Sequence, residues 1–249
     1  MTEHIVISRQ GAAQIIRLNR PDKKNAITRA MYAAMTKALV EGDADDEVRV
    51  NVFLGVPGAF SSGNDMLDFM AGSCGGTLGQ EVLDFLIALS SARKPIVSGV
   101  DGLAIGIGTT IHLHCDLTFA TEHALFRTPF VELGLVPEAA SSLLVPPLMG
   151  HQKAFALLAL GVGFDAHAAL EAGLIYRVVD SSGLEKEVLQ AAQDIAAKPP
   201  QAMQIARNLM RLPAEPVAAR IEREAKHFTE RLASDEAQEA VMAFLTRKK

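Results

Sequence analysis

KPIVSGVDGLAIGIGTTIHLHCDLTFATEHALFRTPFVELGLVPEAASS, Lys94 to Ser142, is the stretch on which the reading of this chain turns. Pro95 to Val100 is a short, apolar, β-branched run with the pattern of a buried strand, and Asp101-Gly102 interrupts it. Gly106-Ile107-Gly108-Thr109-Thr110 follows, where glycines allow close backbone approach and a threonine is suited to cap a helix. A strand that passes through such a loop into a helix leaves unpaired N–H groups at the helix start. Those donors, with the positive end of the helix dipole, stabilise negative charge on an oxygen. A glycine turn that merely packs a helix on a strand has the same local pattern, so other residues must decide.

A second unit of the same kind lies upstream. Val48 to Leu54 is apolar-rich and leads into Gly58-Ala59-Phe60-Ser61-Ser62-Gly63-Asn64-Asp65-Met66, again strand, glycine loop and an expected helix start at Asp65. Each unit offers one backbone N–H.

Two competing chemistries fail on spacing. Dinucleotide binding needs a third glycine where Ile111 stands, and no ribose-binding acid follows a second strand. His112 and His114 suggest a metal, but residues two apart on a helix point about 200 degrees apart around the axis, so they do not share one.

The rest of the composition sets bounds. The 249 residues are 49% hydrophobic, enough for a sizeable core, and the net charge of −5 gives no basic field for nucleic acid. Cys74 and Cys115 support neither a disulfide framework nor a zinc site. No apolar run approaches the ~20 residues of a membrane span, and the N-terminal residues do not read as a signal peptide. A soluble protein of the cytoplasm is expected.

Residues 4 to 19 read as two strands around Gly11, and Thr28 as the cap of a helix with Met31, Met35, Ala38 and Leu39 on its core face. The turn between them carries Arg20, Lys23 and Lys24, on residue type alone a solvated surface or an anion contact. Leu67 to Gly79, rich in glycine, reads as a mobile loop before a helix over Gln80 to Ser91. Glu138 follows a proline among apolar neighbours at an expected helix start, where a carboxylate either caps the helix or acts as a base. His151 to Leu160 and Asp165 to Glu171 read as helices, Leu174 to Val179 as a last strand, and residues 200 to 246 as three helical segments split near Pro213–Pro216 and Ser234.

Several motifs in this order resemble the crotonase, or enoyl-CoA hydratase/isomerase, superfamily. They are Asn19-Arg20-Pro21 with Lys24-Asn25-Ala26-Ile27, Phe60 to Asp65, Asp101-Gly102 through Cys115-Asp116, and Ala166 through Gly173-Leu174. The resemblance implies an α/β fold: a crotonase-like (ClpP/crotonase) spiral of ββα units over 1–197, with a C-terminal helical oligomerisation region over 198–249. It implies a homotrimer or homohexamer, an acyl-CoA substrate whose coenzyme A is part of the substrate, no separate cofactor and no metal.

It also implies site residues. The oxyanion donors would be the backbone N–H groups of Asn64 and Ile107, and the CoA or substrate contacts Arg20, Lys24, Ala26, Ser62, Asp65, Met66 and Gly106. The two glutamates of the family's hydratases fall at Thr110 and Phe130, which supply neither acid nor base. The Thr-Pro-Phe, Leu-Gly and Pro-Glu spacing is similar to the peroxisomal-type 3,2-enoyl-CoA isomerases, which makes Glu138 the single base and Glu132 the runner-up. Isomerase is therefore the expectation, with a hydratase of the same fold and a non-catalytic acyl-CoA binder as alternatives.

Overall fold

Short apolar strands alternating with helices build a spiral in the computed structural model, which describes residues 2–72, 79–212, 215–232, 234–237 and 239. Gly11, at φ 58°, turns β1 (Ile5–Gln10) back on β2 (Ala13–Leu18) as an antiparallel hairpin. The Thr28 side chain accepts the Met31 N–H and starts α1 (Arg29–Ala44), which buries Met31, Tyr32, Met35, Ala38 and Leu39. β3 (Val50–Leu54) is buried at every position and pairs parallel with β2; its residues are apolar as a strand covered on both faces requires, except Asn51, whose Oδ1 accepts from Gln14 Nε2 at 2.9 Å.

Three turns of the spiral follow. β3 leads into β4 (Ala59–Ser61), then α2 (Met66–Gly72) and α3 (Gln80–Ser91). β5 (Ile96–Val100) leads into β6 (Leu103–Ile105) and α4 (Ile107–Thr110), continued as one tighter turn to His114. β7 (Leu117–Thr121) leads into β8 (Leu125–Arg127), then α5 (Ser141–Met149) and α6 (His151–Leu158). Each turn gives one strand to each sheet. The larger sheet runs β1-β2-β3-β5-β7-β10 and the smaller β4-β6-β8-β9, completed by β9 (Phe164–Asp165), α7 (Ala166–Glu171), β10 (Arg177–Val179) and α8 (Leu184–Ala196).

The corners between the sheets stack backbone on backbone. Asp101 joins three of them: Oδ2 accepts the Gly58 N–H at 2.9 Å and Oδ1 the Thr121 hydroxyl at 2.7 Å. Gly102, at φ 69°, sits so close beneath Gly58 that a Cβ would stand 2.0 Å from the Gly58 carbonyl oxygen.

Several sequence expectations change in detail. β4 and β6 lie inside stretches that read as glycine loops, because strands of three residues are too short to show alternation. Neither threonine of the second loop caps its helix. Gly106 holds the cap position, and the Thr109 hydroxyl bonds the carbonyls of Ala104 and Arg127 from inside the helix. Residues 67–72 of the expected loop are helical, while 73–78, with Cys74, Gly75 and Gly76, lie outside the described residues. The last strand is only Arg177–Val179, and α6 stops at Leu158.

By its internal contacts the chain divides into Met1–Gln193 and Asp194–Lys249. The second unit carries α9 (Pro200–Arg211) and α10 (Val217–Leu232), flanking the expected break at the prolines. No helix among the described residues is long and apolar enough to cross a membrane.

Gly102→Ala forces the two corners apart. It is expected to cost about 3 kcal/mol or more, among the largest single-residue effects, or to give insoluble protein, as read by denaturant unfolding.

Candidate active site

The two glycine loops touch. A Cβ on Gly63 would lie 3.1 Å from the Ile105 carbonyl oxygen, and one on Gly108 only 2.8 Å from that of Ser61. Asn64 forms a parallel bridge with Ile27: the Ile27 N–H donates to Gly63 O at 2.8 Å and the Asp65 N–H to Ile27 O at 2.9 Å. In a parallel ladder only one residue of a bridged pair uses both its groups, so the N–H of Asn64 itself points to the opposite side. Gly106, at φ 57°, turns the chain into α4, whose first N–H groups, including that of Ile107, have no intrahelical acceptor. The two expected oxyanion donors thus stand on loops in backbone contact.

Asn64 is held by its side chain as well. The Tyr32 hydroxyl, at the end of a fully buried ring on α1, donates to Asn64 Oδ1 at 2.5 Å. Burial first, and then the negative charge of Glu138, push the phenol well above its ordinary range, so it remains a donor. Sequence reading missed Tyr32 because it stands in a core stripe. The available signal was a polar tip among methionines, which when buried needs a partner.

Glu138 lies in the irregular segment between the tight turn Val131–Leu133 and α5, not at a helix start. Ala139 and Ala140 follow it at φ 53° and 56°, and the helix begins only at Ser141, so capping does not explain the carboxylate. Its backbone carbonyl accepts the Ser141 N–H at 2.9 Å and the Ser141 hydroxyl at 2.6 Å, while His114 Nε2 bonds Ala139 O at 2.9 Å. At the other end, the Thr110 hydroxyl donates to Glu138 Oε1. Burial pushes this carboxyl up to about 7, and the Thr110 bond works against that rise. A carboxyl titrating near neutrality is suited to both taking and returning a proton.

The remaining expected residues divide. Arg20 Nη1 donates to Ala26 O at 2.9 Å and Asp65 Oδ2 at 2.8 Å, and its backbone N–H to Asn25 Oδ1 at 2.7 Å. That Arg20 bond is the main reason the Asp65 carboxyl lies below its usual range, and Asp65 Oδ1 receives the Asp68 N–H at the start of α2. Ser62 donates to Lys24 O and Lys23 O, and buried Asn25 to Ala59 O and Phe60 O, so the basic turn is stitched to the first glycine loop. Lys23, Lys24 and Met66 are exposed, whereas Arg20 and Asp65 are engaged with each other.

Glu132 binds Arg127 through both carboxylate oxygens, at 2.7 and 2.8 Å, and is half exposed. Phe130 is part of the core. The two histidines have separate partners: His112 Nδ1 meets Ser98 Oγ at 2.9 Å and burial lowers its pKa to about 3, while His114 serves the Glu138 segment.

Two sheets wound as a spiral, with helices at the turns, are the crotonase-like fold, and comparison with known proteins agrees. The family described as enoyl-CoA hydratase/isomerase matches residues 8–249. Enoyl-CoA delta isomerase 2 of Rattus norvegicus is 37% identical over 98% of this chain; the chain spans 64% of that relative's length. The 2,3-dehydroadipyl-CoA hydratase of Escherichia coli K12 is 28% identical over 98% of this chain and 96% of its own. A crystal structure of an enoyl-CoA hydratase/isomerase from Pseudoalteromonas atlantica T6c superposes with a TM-score of 0.80 at 39% identity, covering 99% of this chain and 98% of that one. This chain belongs to the enoyl-CoA hydratase/isomerase family, a family of enzymes.

Two predictions follow from the geometry. A glutamate raised in the fold from 4.5 to about 7 binds a proton that the unfolded chain has released. Its contribution is therefore full below about pH 4.5 and lost as pH rises through 7, a loss of about 3 kcal/mol. Unfolding titrations of wild type and Glu138→Gln should diverge by that amount over this window, with the glutamine variant relatively more stable at high pH. Tyr32→Phe removes the donor to Asn64 and should cost about 1 kcal/mol in the same assay.

Proposed function

We propose that this protein is an acyl-CoA isomerase that moves the double bond of a 3-enoyl thioester to the 2-position, in reactions of the fatty-acid oxidation type. The observation that carries the reading is Glu138: a partly buried carboxyl titrating near neutrality, bonded by a threonine at a position where the resemblance places a hydratase glutamate. Glu138 takes a proton from C2, leaving a dienolate whose charge collects on the thioester oxygen. The N–H groups of Asn64 and Ile107 stabilise that oxygen, each contributing roughly 3–4 kcal/mol by analogy with other oxyanion holes. The same carboxyl then returns the proton to C4. One carboxylate suffices because nothing but a proton moves.

Adding water would ask for a second acid or base to activate it, and Thr110 and Phe130 occupy the positions where one is expected. The exposed Lys23 and Lys24, on a turn bonded to the first glycine loop, are suited to the phosphates of the CoA nucleotide. The similarity to the rat isomerase supports this direction, although that relative extends beyond the span matched here.

The test is to assay 3-enoyl-CoA isomerisation and 2-enoyl-CoA hydration side by side. Wild type should isomerise, with kcat rising through about pH 7 as Glu138 ionises. Glu138→Gln should lose roughly a hundred- to ten-thousand-fold in kcat while retaining its fold and CoA binding. Hydration as the dominant activity would favour the hydratase reading. Binding of acyl-CoA without either reaction would favour a non-catalytic binder.

A further inference from the structure

The helix that begins at Ile107 does more than present an N–H. The segment from Ile107 to His114 carries two bonding side chains besides its first N–H, in one α-helical turn and the tighter turn that continues it. Ile107 opens it, the Thr110 hydroxyl reaches Glu138 Oε1, and His114 Nε2 reaches the carbonyl of Ala139 immediately behind Glu138. The Thr110 side chain is fully buried. Its hydroxyl proton is directed at one carboxylate oxygen.

We propose that Thr110 is the positioning residue for Glu138, tying down Oε1 so that Oε2 alone collects and returns the proton. This rests on Glu138 being the base. With Oε1 as a pivot, the free oxygen swings over a short arc instead of exchanging roles with its twin, and the proton taken from C2 remains on the oxygen that faces C4. In this step the C2–H bond breaks, an O–H bond forms at Oε2, and the reverse transfer forms the C4–H bond; no other reactant is required. The hydroxyl also bonds the ionised form of the carboxyl in preference to the neutral form, which keeps a partly buried glutamate from becoming too weakly acidic to ionise at neutral pH. Thr110 stands three residues after Ile107 in the same helical turn, so the residue that holds Glu138 and the expected oxyanion donor belong to one short element.

Thr110→Val keeps the shape and removes the donor, whereas Thr110→Ser keeps the donor. For the valine variant we expect the acid limb of the kcat–pH profile to move up by about one unit, the direction set by losing a bond to the charged form. We expect kcat at pH 7 to fall about tenfold with KM within twofold of wild type, and serine to restore both. Should valine prevent folding, Thr110→Ala, which only opens space, carries the same measurement. An acid limb that coincides with wild type in the folded donor-less variant would overturn the proposal, as would a serine variant that behaves like valine. Glu138→Gln measured alongside separates the two levels: if it remains active the base assignment fails, and if it is inactive while Thr110→Val keeps the wild-type profile, only the role of Thr110 fails.

Discussion

Successive turns of this spiral meet backbone to backbone, and that contact decides where the two glycine loops of the candidate site stand. Gly102 lies under Gly58 and Gly108 against Ser61, both closer than a side chain would allow, and Gly63 against Ile105 at a spacing where a Cβ would be tight. Asp101 fastens one corner of the stack and buried Asn25 ties the basic turn to β4. The consequence reaches the chemistry. Loops separated by a full turn of the spiral become neighbours, so Asn64 and Ile107, the residues expected to supply the two amides, stand on loops in contact.

Glu138 is placed under different rules. Glu138 sits on an irregular segment that ends in two consecutive alanines in the left-handed region, a conformation costing roughly 1–2 kcal/mol per residue. Bonds from Ser141 and His114 hold that segment, and the carboxyl itself is partly buried and raised to about 7. Strain in the backbone and desolvation of the carboxyl both oppose folding. A fold with a core this continuous can carry such terms at a site where they leave a carboxyl titrating near neutrality.

Much of this was legible in the sequence, and the illegible parts have physical reasons. Long or periodic elements were readable: the Thr28 cap with its stripe in α1, the helix over Gln80–Ser91, and Asp165 as the cap of α7 all stand in the structure as expected. Three-residue strands such as β4 and β6 carry no period, so the second sheet was hidden inside glycine loops. At the candidate site, Asn64, Ile107 and Glu138 were found through motif order. Tyr32 and the bonding role of Thr110 were not, since both depend on which residues distant in the chain come to lie beside them. Arg20 and Asp65 were expected on the ligand and are bonded to each other, a pairing that no spacing rule along the chain reveals.

A crystal structure of Glu138→Gln with a 3-enoyl-CoA thioester tests the central claim most directly, because it locates the thioester oxygen. The account predicts that oxygen within about 2.7–3.1 Å of both the Asn64 and Ile107 amide nitrogens, with the residue 138 side chain over C2 and C4. A thioester oxygen bonded to neither amide, or an acyl group lying away from residue 138, would contradict it.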